Sequence, residues 1–394
     1  MAHEPRDGAL LALAPAERTA LDRAFELARL GPAHGPNPRV GCVLLADDGT
    51  ELASGFHRGA GTAHAEAAAL ENARAHGIDP RGTTAVVTLE PCNHAGRTGP
   101  CSEALLAAGV RRVVFALADP NAPASGGAAR LRAAGVDVVG PVDEARGRQL
   151  VRTWLTAVEQ HRPFVTLKTA TTLDGRVAAA DGSSRWITSP ESRAHAHTVR
   201  AQVDAIVVGT GTALTDDPSL TARAPDGTLH THQPLRVVVG HRDLPAGAAL
   251  HGPGGELVQV RTHDPAEVLA TLDAREVRHV LVEGGPTLAA AFVRAGLVDE
   301  LHAYLAPVLL GAGPSAIGDL AITSIDHAVR WETLETHRLG PDVLLVAAPV
   351  KPGTTKAVPP GPAPPAPTPA PPARATPPPE APRPPAAHAE THES

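Results

Sequence analysis

Two rhythms of apolar and polar residues organise this chain. Between Pro15 and Gly147, the runs VGCVLLA, ELASGF, TTAVVTL, RRVVFALA and VDVVG read as strands. The stretches between them have helical spacing instead. In ERTALDRAFELARLG, for example, Leu21, Ala24, Phe25 and Ala28 fall on one face. HAEAAALENARAHG, CSEALLAAG and ASGGAARLRAAG predict further helices, and strands alternating with helices indicate an α/β layered domain. VDEARGRQLVRTWLTAVEQH, residues 142–161, predicts a helical connector. A second α/β pattern follows from Arg162 to Pro349. Its predicted strands are FVTLKTA, DAIVVG, LRVVVG, ELVQVR, HVLVEG and LHAYLAP, and its predicted helices SPESRAHAHTVRAQ, DPAEVLATLDA and TLAAAFVRAG. No repeat relates the halves. The expected domains are 15–147 and 162–349, joined by 148–161 and followed by a tail over 350–394.

That tail is rich in proline and poor in large apolar residues. It cannot bury enough surface to offset ordering entropy, so a disordered segment of polyproline II character is expected. The remaining composition, 43% hydrophobic and 20% charged over 394 residues, suits a soluble globular protein. A net charge of −7 argues against a general nucleic-acid partner, and 2% aromatic content against base-stacking platforms. The start, MAHEPRDGALLALAPAER, lacks a secretory pattern and no run of 18 apolar residues occurs, so a cytoplasmic protein without a membrane partner is expected. Three cysteines cannot build a disulfide framework.

Two of those cysteines flank a short polar loop, LEPCNHAGRTGPC, residues 89–101, between a predicted strand and a predicted helix. Upstream, TAHAEAAAL places His64 and Glu66 at a helix start. One imidazole and two thiolates, His64, Cys92 and Cys101, make a three-ligand zinc set that leaves one tetrahedral position for water. Zinc makes that water nucleophilic, and a carboxylate that is not a ligand, Glu66, can carry its proton to a leaving amine. This is the H-x-E…P-C logic of zinc deaminases, though those acting on nucleic-acid bases keep two residues between the cysteines, and here there are eight. The inserted loop carries Asn93, His94, Arg97 and Thr98, which suits a small phosphorylated substrate. Taken singly, His-x-Glu is a common helix start and paired thiols can form a closed structural site, with His94 as a conceivable fourth ligand. Cys42, in VGCVLL, reads as core.

PNPRVGCVL (36–44), GFHRGAGTAHAE (55–66), TLEPCNHAGRTGPC (88–101) and DPN (119–121) together resemble the bifunctional riboflavin-biosynthesis deaminase/reductase family. The resemblance implies a cytidine-deaminase-like three-layer domain. Its substrate would be 2,5-diamino-6-ribosylamino-4(3H)-pyrimidinone 5′-phosphate, held by Asn37, His57, His94, Arg97 and Asn121. Two departures stand out. Gly99-Pro100 replaces a usual second proline, and APASGGAAR puts Gly127 where the family carries a cation, leaving Arg97 or Arg130 to supply that charge.

The second half has no G-x-G-x-x-G after its first strand. RPFVTLKTATTLDGRVA, SSRWITSPESR, VDAIVVGTGTALTDDPSLTAR and VEGGPTLAAAFV resemble the same family's reductase domain, with a dihydrofolate-reductase-like fold and NADPH as hydride donor. By that resemblance Lys168, Ser184, Arg200, Leu220, Arg223 and Glu283 contact substrate. Ala170, Trp186, Thr212, Asp216 and the turn carrying Gly285, Pro286, Thr287 and Leu288 hold the cofactor. The family likeness also implies a homo-oligomer. The alternatives are a paralogue keeping one of the two activities, and a non-catalytic zinc-stabilised scaffold. Glu66 separates the last from the enzyme, because a closed structural site has no use for a carboxylate beside an open metal position.

Overall fold

The computed structural model describes residue 10, residues 12–94, 99–121 and 124–350. The proline-rich tail lies outside the described residues, as do Arg97 and Thr98 of the cysteine loop.

The first half folds as α1 (Pro15–Arg29), β1 (Gly41–Leu45), β2 (Glu51–Phe56), α2 (Ala65–Ala75), β3 (Thr84–Leu89), α3 (Cys101–Ala107), β4 (Arg112–Leu117), α4 (Gly127–Ala133) and β5 (Asp137–Val139). Its sheet has the order β2-β1-β3-β4-β5. β1 is antiparallel to β2 and β3, whereas β3, β4 and β5 run parallel. Strand alternation divides the core in two. Cys42, Leu44, Ala85, Val87 and Val113 face Ala65, Ala69, Leu70, Leu105 and Leu131 of α2–α4. Val43, Leu45, Val86 and Val114 face Leu21, Ala24, Phe25 and Leu27 of α1. These are the three layers expected, and Cys42 is fully buried core as read from the sequence.

The connector is two helices rather than one, α5 (Glu144–Leu150), capped by Asp143, and α6 (Arg152–Gln160). Val151, at φ −111° and ψ 21°, breaks the helical run between them.

The second half comprises β6 (Phe164–Thr172), α7 (Pro190–Arg200), β7 (Ala205–Gly209), α8 (Thr210–Asp216), β8 (Leu235–Val239), β9 (Leu257–Val260), α9 (Pro265–Asp273), β10 (His279–Val282), α10 (Pro286–Arg294), β11 (Glu300–Ala306), β12 (Trp331–Leu339) and β13 (Asp342–Pro349). The eight-stranded order is β12-β13-β11-β6-β10-β7-β8-β9, parallel from β11 to β9 and antiparallel at the β11–β13–β12 edge. Three elements go beyond the sequence reading: α8, β12 and β13. β12 is exposed at nearly every position, so no buried face imposes a period on its sequence.

The described residues up to Val350 form one compact unit, and a seam between the halves is part of it. Asp204 bridges that seam. Its Oδ1 accepts the Gly35 N–H at 2.5 Å, while Oδ2 accepts those of Arg278 and His279 at 2.9 and 2.8 Å. His34 stacks on His232 with ring centroids 3.4 Å apart. Among the described residues no helix is long and apolar enough to cross a membrane.

Candidate functional site

The first cleft gathers residues from the strand ends and helix starts of the first sheet. His64 caps α2 and Cys101 opens α3, so two helices begin at the same point. His64 Nδ1 lies 3.5 Å from Cys92 Sγ and 3.4 Å from Cys101 Sγ, and all three donor atoms fall within 4.8 Å of one another. A tetrahedral zinc with nitrogen and sulfur bonds of ordinary length sets an N–S separation of about 3.6 Å, so the donors fit the metal. The Cys101 N–H donates to Cys92 Sγ at 3.4 Å, which favours a thiolate there. His94 is not in the converging set; it lines the cleft, and its Nδ1 is buried with no hydrogen-bond partner among the described residues. This histidine therefore stands apart from the three converging donor atoms.

Glu66 sits in the first turn of α2, only 3% exposed, and burial foremost pushes its carboxyl upward. Asn37, His57, His94 and Asn121 line the same cleft of ≈320 Å³. His57 Nδ1 meets the Ala63 carbonyl at 3.1 Å, which makes Nδ1 the donor and leaves Nε2 to accept from the Asn37 amide at 3.0 Å. Burial lowers its pKa, in keeping with a neutral ring.

Several lining residues were not singled out in the sequence, among them Asp119, Trp154 and Glu276. Asp119, in the DPN segment, has a carboxyl raised to about 6 by burial. Trp154 on α6 and Glu276 beyond α9 come from outside the first sheet. Nothing in the local sequence marks either as a cleft residue.

The cation expected at position 127 has no room. A β-carbon on Gly127 would stand 1.7 Å from the Pro91 carbonyl oxygen, so this glycine packs α4 against the loop that carries Cys92. Arg130 is no substitute: it is exposed and paired with Glu103 at 2.6 Å. Arg97 lies outside the described residues. Gly99 meets no atom within 4 Å of a built β-carbon, so its departure from proline strains nothing.

The second cleft, ≈500 Å³, opens past the carboxyl ends of β7 and β10, where ligands of open parallel sheets bind. Lys168, Ala170, Ser184, Thr212, Asp216, Glu283 and the turn Gly285–Leu288 all line it. Glu283 is gripped by Arg200 through Nε–Oε1 and Nη2–Oε2 contacts of 2.7 and 2.8 Å, with Lys168 Nζ at 3.5 Å. Burial would raise this carboxyl, yet Arg200 and Lys168 hold it at about 2. Gly285 precedes α10, and its N–H donates to Thr212 Oγ1 at 3.0 Å, so backbone and hydroxyl dipoles meet at a helix start suited to cofactor phosphate. A β-carbon on Gly284 would lie 2.6 Å from Leu288 Cδ2.

Four residues of the sequence reading do not line this cleft. Arg200 stands behind Glu283, and Arg223 donates to Thr221 Oγ1 at 2.8 Å. Trp186 is 69% exposed, with the Arg193 guanidinium 4.5 Å from its ring. Leu220 is buried in the core beside Val203, Ile206 and Leu250, so its side chain faces away from any ligand.

Comparison with known proteins agrees with this division. Residues 15–117 match the family described as "Cytidine and deoxycytidylate deaminase zinc-binding region", and residues 163–345 the "RibD C-terminal domain". The riboflavin biosynthesis protein RibD of Mycobacterium tuberculosis is 49% identical over 311 residues, covering 79% of this chain and 90% of that protein. RibD of Escherichia coli is 38% identical over 359 residues, covering 82% and 96%. The crystal structure of a diaminohydroxyphosphoribosylaminopyrimidine deaminase/5-amino-6-(5-phosphoribosylamino)uracil reductase from Thermotoga maritima superposes with a TM-score of 0.77 at 31% identity, covering 85% of this chain and 99% of that one. Acinetobacter baumannii RibD does so at 0.76 and 34%, with the same coverage.

Proposed function

We infer, from the fact that this chain belongs to the RibD family of riboflavin-biosynthesis enzymes, that its two clefts divide two successive reactions between them. The protein is a zinc-dependent deaminase and an NADPH-dependent reductase. It deaminates 2,5-diamino-6-ribosylamino-4(3H)-pyrimidinone 5′-phosphate and reduces the ribosyl group to a ribityl chain. The observation that carries the assignment is the convergence of His64, Cys92 and Cys101 within reach of one ion, beside the buried Glu66.

In the first cleft, His64, Cys92 and Cys101 hold zinc, which supplies a Lewis acid that makes water nucleophilic near neutral pH. Glu66 takes the proton of the attacking water and delivers it to the departing amine. Its raised carboxyl suits both halves of that transfer. Asn37, with His57 fixing its amide, and Asn121 orient the pyrimidine, and His94 Nδ1 offers a buried polar atom to the substrate. Arg97, in the same loop, is assigned to the phosphate by family likeness and by its charge.

In the second cleft, NADPH supplies the hydride. Thr212, Asp216 and the Gly285–Leu288 turn bind it, together with Ala170. Lys168 and Glu283 meet the sugar, and Arg200 keeps Glu283 ionised. Ser184 lines this cleft as well, whereas Leu220, Arg223 and Trp186 are assigned to it by family likeness alone. A second copy of the chain completes the assembly: the exposed edge strand β12, preceded by Ile325 at 76% exposure, supports pairing at that edge of the sheet.

Product analysis by mass spectrometry tests the assignment. Zinc-loaded protein given the diaminopyrimidine phosphate should release ammonia without NADPH and form the ribityl product only when NADPH is added. Neither reaction by a protein with bound zinc would refute it.

A further inference from the structure

Five helices of this chain end in the same way. After α2, α3, α4, α9 and α10 the chain folds back so that an N–H reaches the carbonyl five residues earlier. The bonds are Ile78 to Ala73 (2.9 Å), Val110 to Leu105 (3.2 Å), Val136 to Leu131 (3.1 Å), Val277 to Leu272 (3.1 Å) and Leu297 to Phe292 (3.1 Å). This closure requires a left-handed residue just before it, a role glycine fills without a β-carbon clash. Gly77, Gly109, Gly135 and Gly296 fill it in four cases, with φ of +69°, +73°, +87° and +65°. The fifth, after α9, is Glu276 at φ +60°. Glutamate lacks the short side chain that lets asparagine or aspartate relieve this conformation. A strained backbone kept where four sister turns use glycine points to a need for the side chain.

The position of Glu276 supplies the need. It belongs to the second half of the chain and is exposed, yet it lines the cleft that holds His64, Glu66 and Cys92. Asp204 makes this possible. It binds the N–H groups of Arg278 and His279, just past Glu276, and that of Gly35, two residues before Asn37. One carboxylate therefore holds the turn carrying Glu276 against the loop carrying Asn37.

We propose that Glu276 is a substrate-binding residue of the deaminase site contributed by the reductase half, its carboxylate accepting hydrogen bonds from the vicinal hydroxyls of the ribosyl group. The proposal rests on the assignment of the first cleft to deamination. The pyrimidine has to reach the buried Glu66 and the ligand trio, so the ribosyl group extends toward the exposed side of the cleft, where Glu276 stands. A vicinal diol presents two donors, a carboxylate only acceptors, and the same pairing fixes ribose in dinucleotide sites.

Full-length zinc-loaded Glu276→Gly and Glu276→Gln variants test it, assayed with the ribosyl substrate and its 2′-deoxyribosyl analogue. Glu276→Gly relieves the backbone, and a cooperative melt shows that each variant is folded. Both variants should raise the deaminase KM about tenfold, with kcat changed far less. Wild type should prefer the ribosyl substrate, and both variants should lose most of that preference. An unchanged KM with an unchanged preference in the folded variants would overturn the proposal. A wild-type protein that deaminates neither compound would instead remove the deaminase assignment itself.

Discussion

Substitution of Gly127 is the most direct probe of how the metal loop is held. A β-carbon there would lie 1.7 Å from the Pro91 oxygen, whereas a carbon–oxygen contact needs about 3.3 Å, so α4 and the loop have to part by about 1.6 Å. The separation also pulls on Glu90, whose Oε1 accepts the Ala128 N–H at 2.9 Å. Overpacking costs about 1–3 kcal/mol, and a lost hydrogen bond to a charged group about 1.5–3 kcal/mol, so Gly127→Ala should cost about 3–5 kcal/mol. In a chain of this size that is a fall in Tm of roughly 10 °C. Pro91 adjoins Cys92, and zinc–sulfur bonds tolerate only about 0.2 Å, so the zinc content should fall as well. Circular-dichroism melts and zinc-to-protein ratios of Gly127→Ala and Gly127→Lys would be compared with wild type. The lysine variant is the sharper test, because by family likeness it restores a phosphate-binding cation. If Gly127→Lys kept its Tm and zinc and lowered the deaminase KM, the packing argument would be wrong.

Three further outcomes follow from the two clefts. Glu66→Gln should retain zinc, measured by elemental analysis, yet lose deamination by about 10²–10⁴-fold. Glu283 is held at about 2 against an ordinary 4.5, so its ionisation stabilises the fold above pH 4.5 and that contribution fades as pH falls toward 2. A pH series of melts should therefore show Glu283→Gln less stable than wild type at neutral pH, by about 3 kcal/mol since Arg200 loses its partner, with the gap closing in acid. Thr212→Val removes the acceptor of the Gly285 N–H and should raise the KM for NADPH several-fold, and an unchanged KM would show that this bond does not shape the cofactor turn.

Much of the zinc site is legible in the sequence because its ligands are tied to helix starts. His64 and Glu66 lie two residues apart at one, and Cys101 opens another, so local spacing carries the geometry. The alternating strands and helices are legible for the same reason: each buries a face of its own period. What escapes is whatever depends on distant backbone. Gly127 reads as a missing cation until Pro91 is seen beside it. Glu276 leaves only a faint trace: HGID, AGVR, AGVD and AGLV follow the other four helices, while α9 runs on as AREVRH with no glycine. β12 has almost no buried position to mark it, and Trp154 reads as ordinary packing in an amphipathic connector. Leu220 shows the opposite case, a family position whose side chain the fold commits to the core.

Asp204 gives the molecule an unusual genetics. By sequence it maps to the reductase segment, but one of its oxygens anchors the loop that carries Asn37 to the lining of the other cleft. A lesion there would score as a deaminase defect, and complementation between separately expressed halves would fail for alleles that leave every deaminase codon intact. The boundary between the two activities, drawn on the gene, therefore does not coincide with the boundary drawn by mutational phenotype.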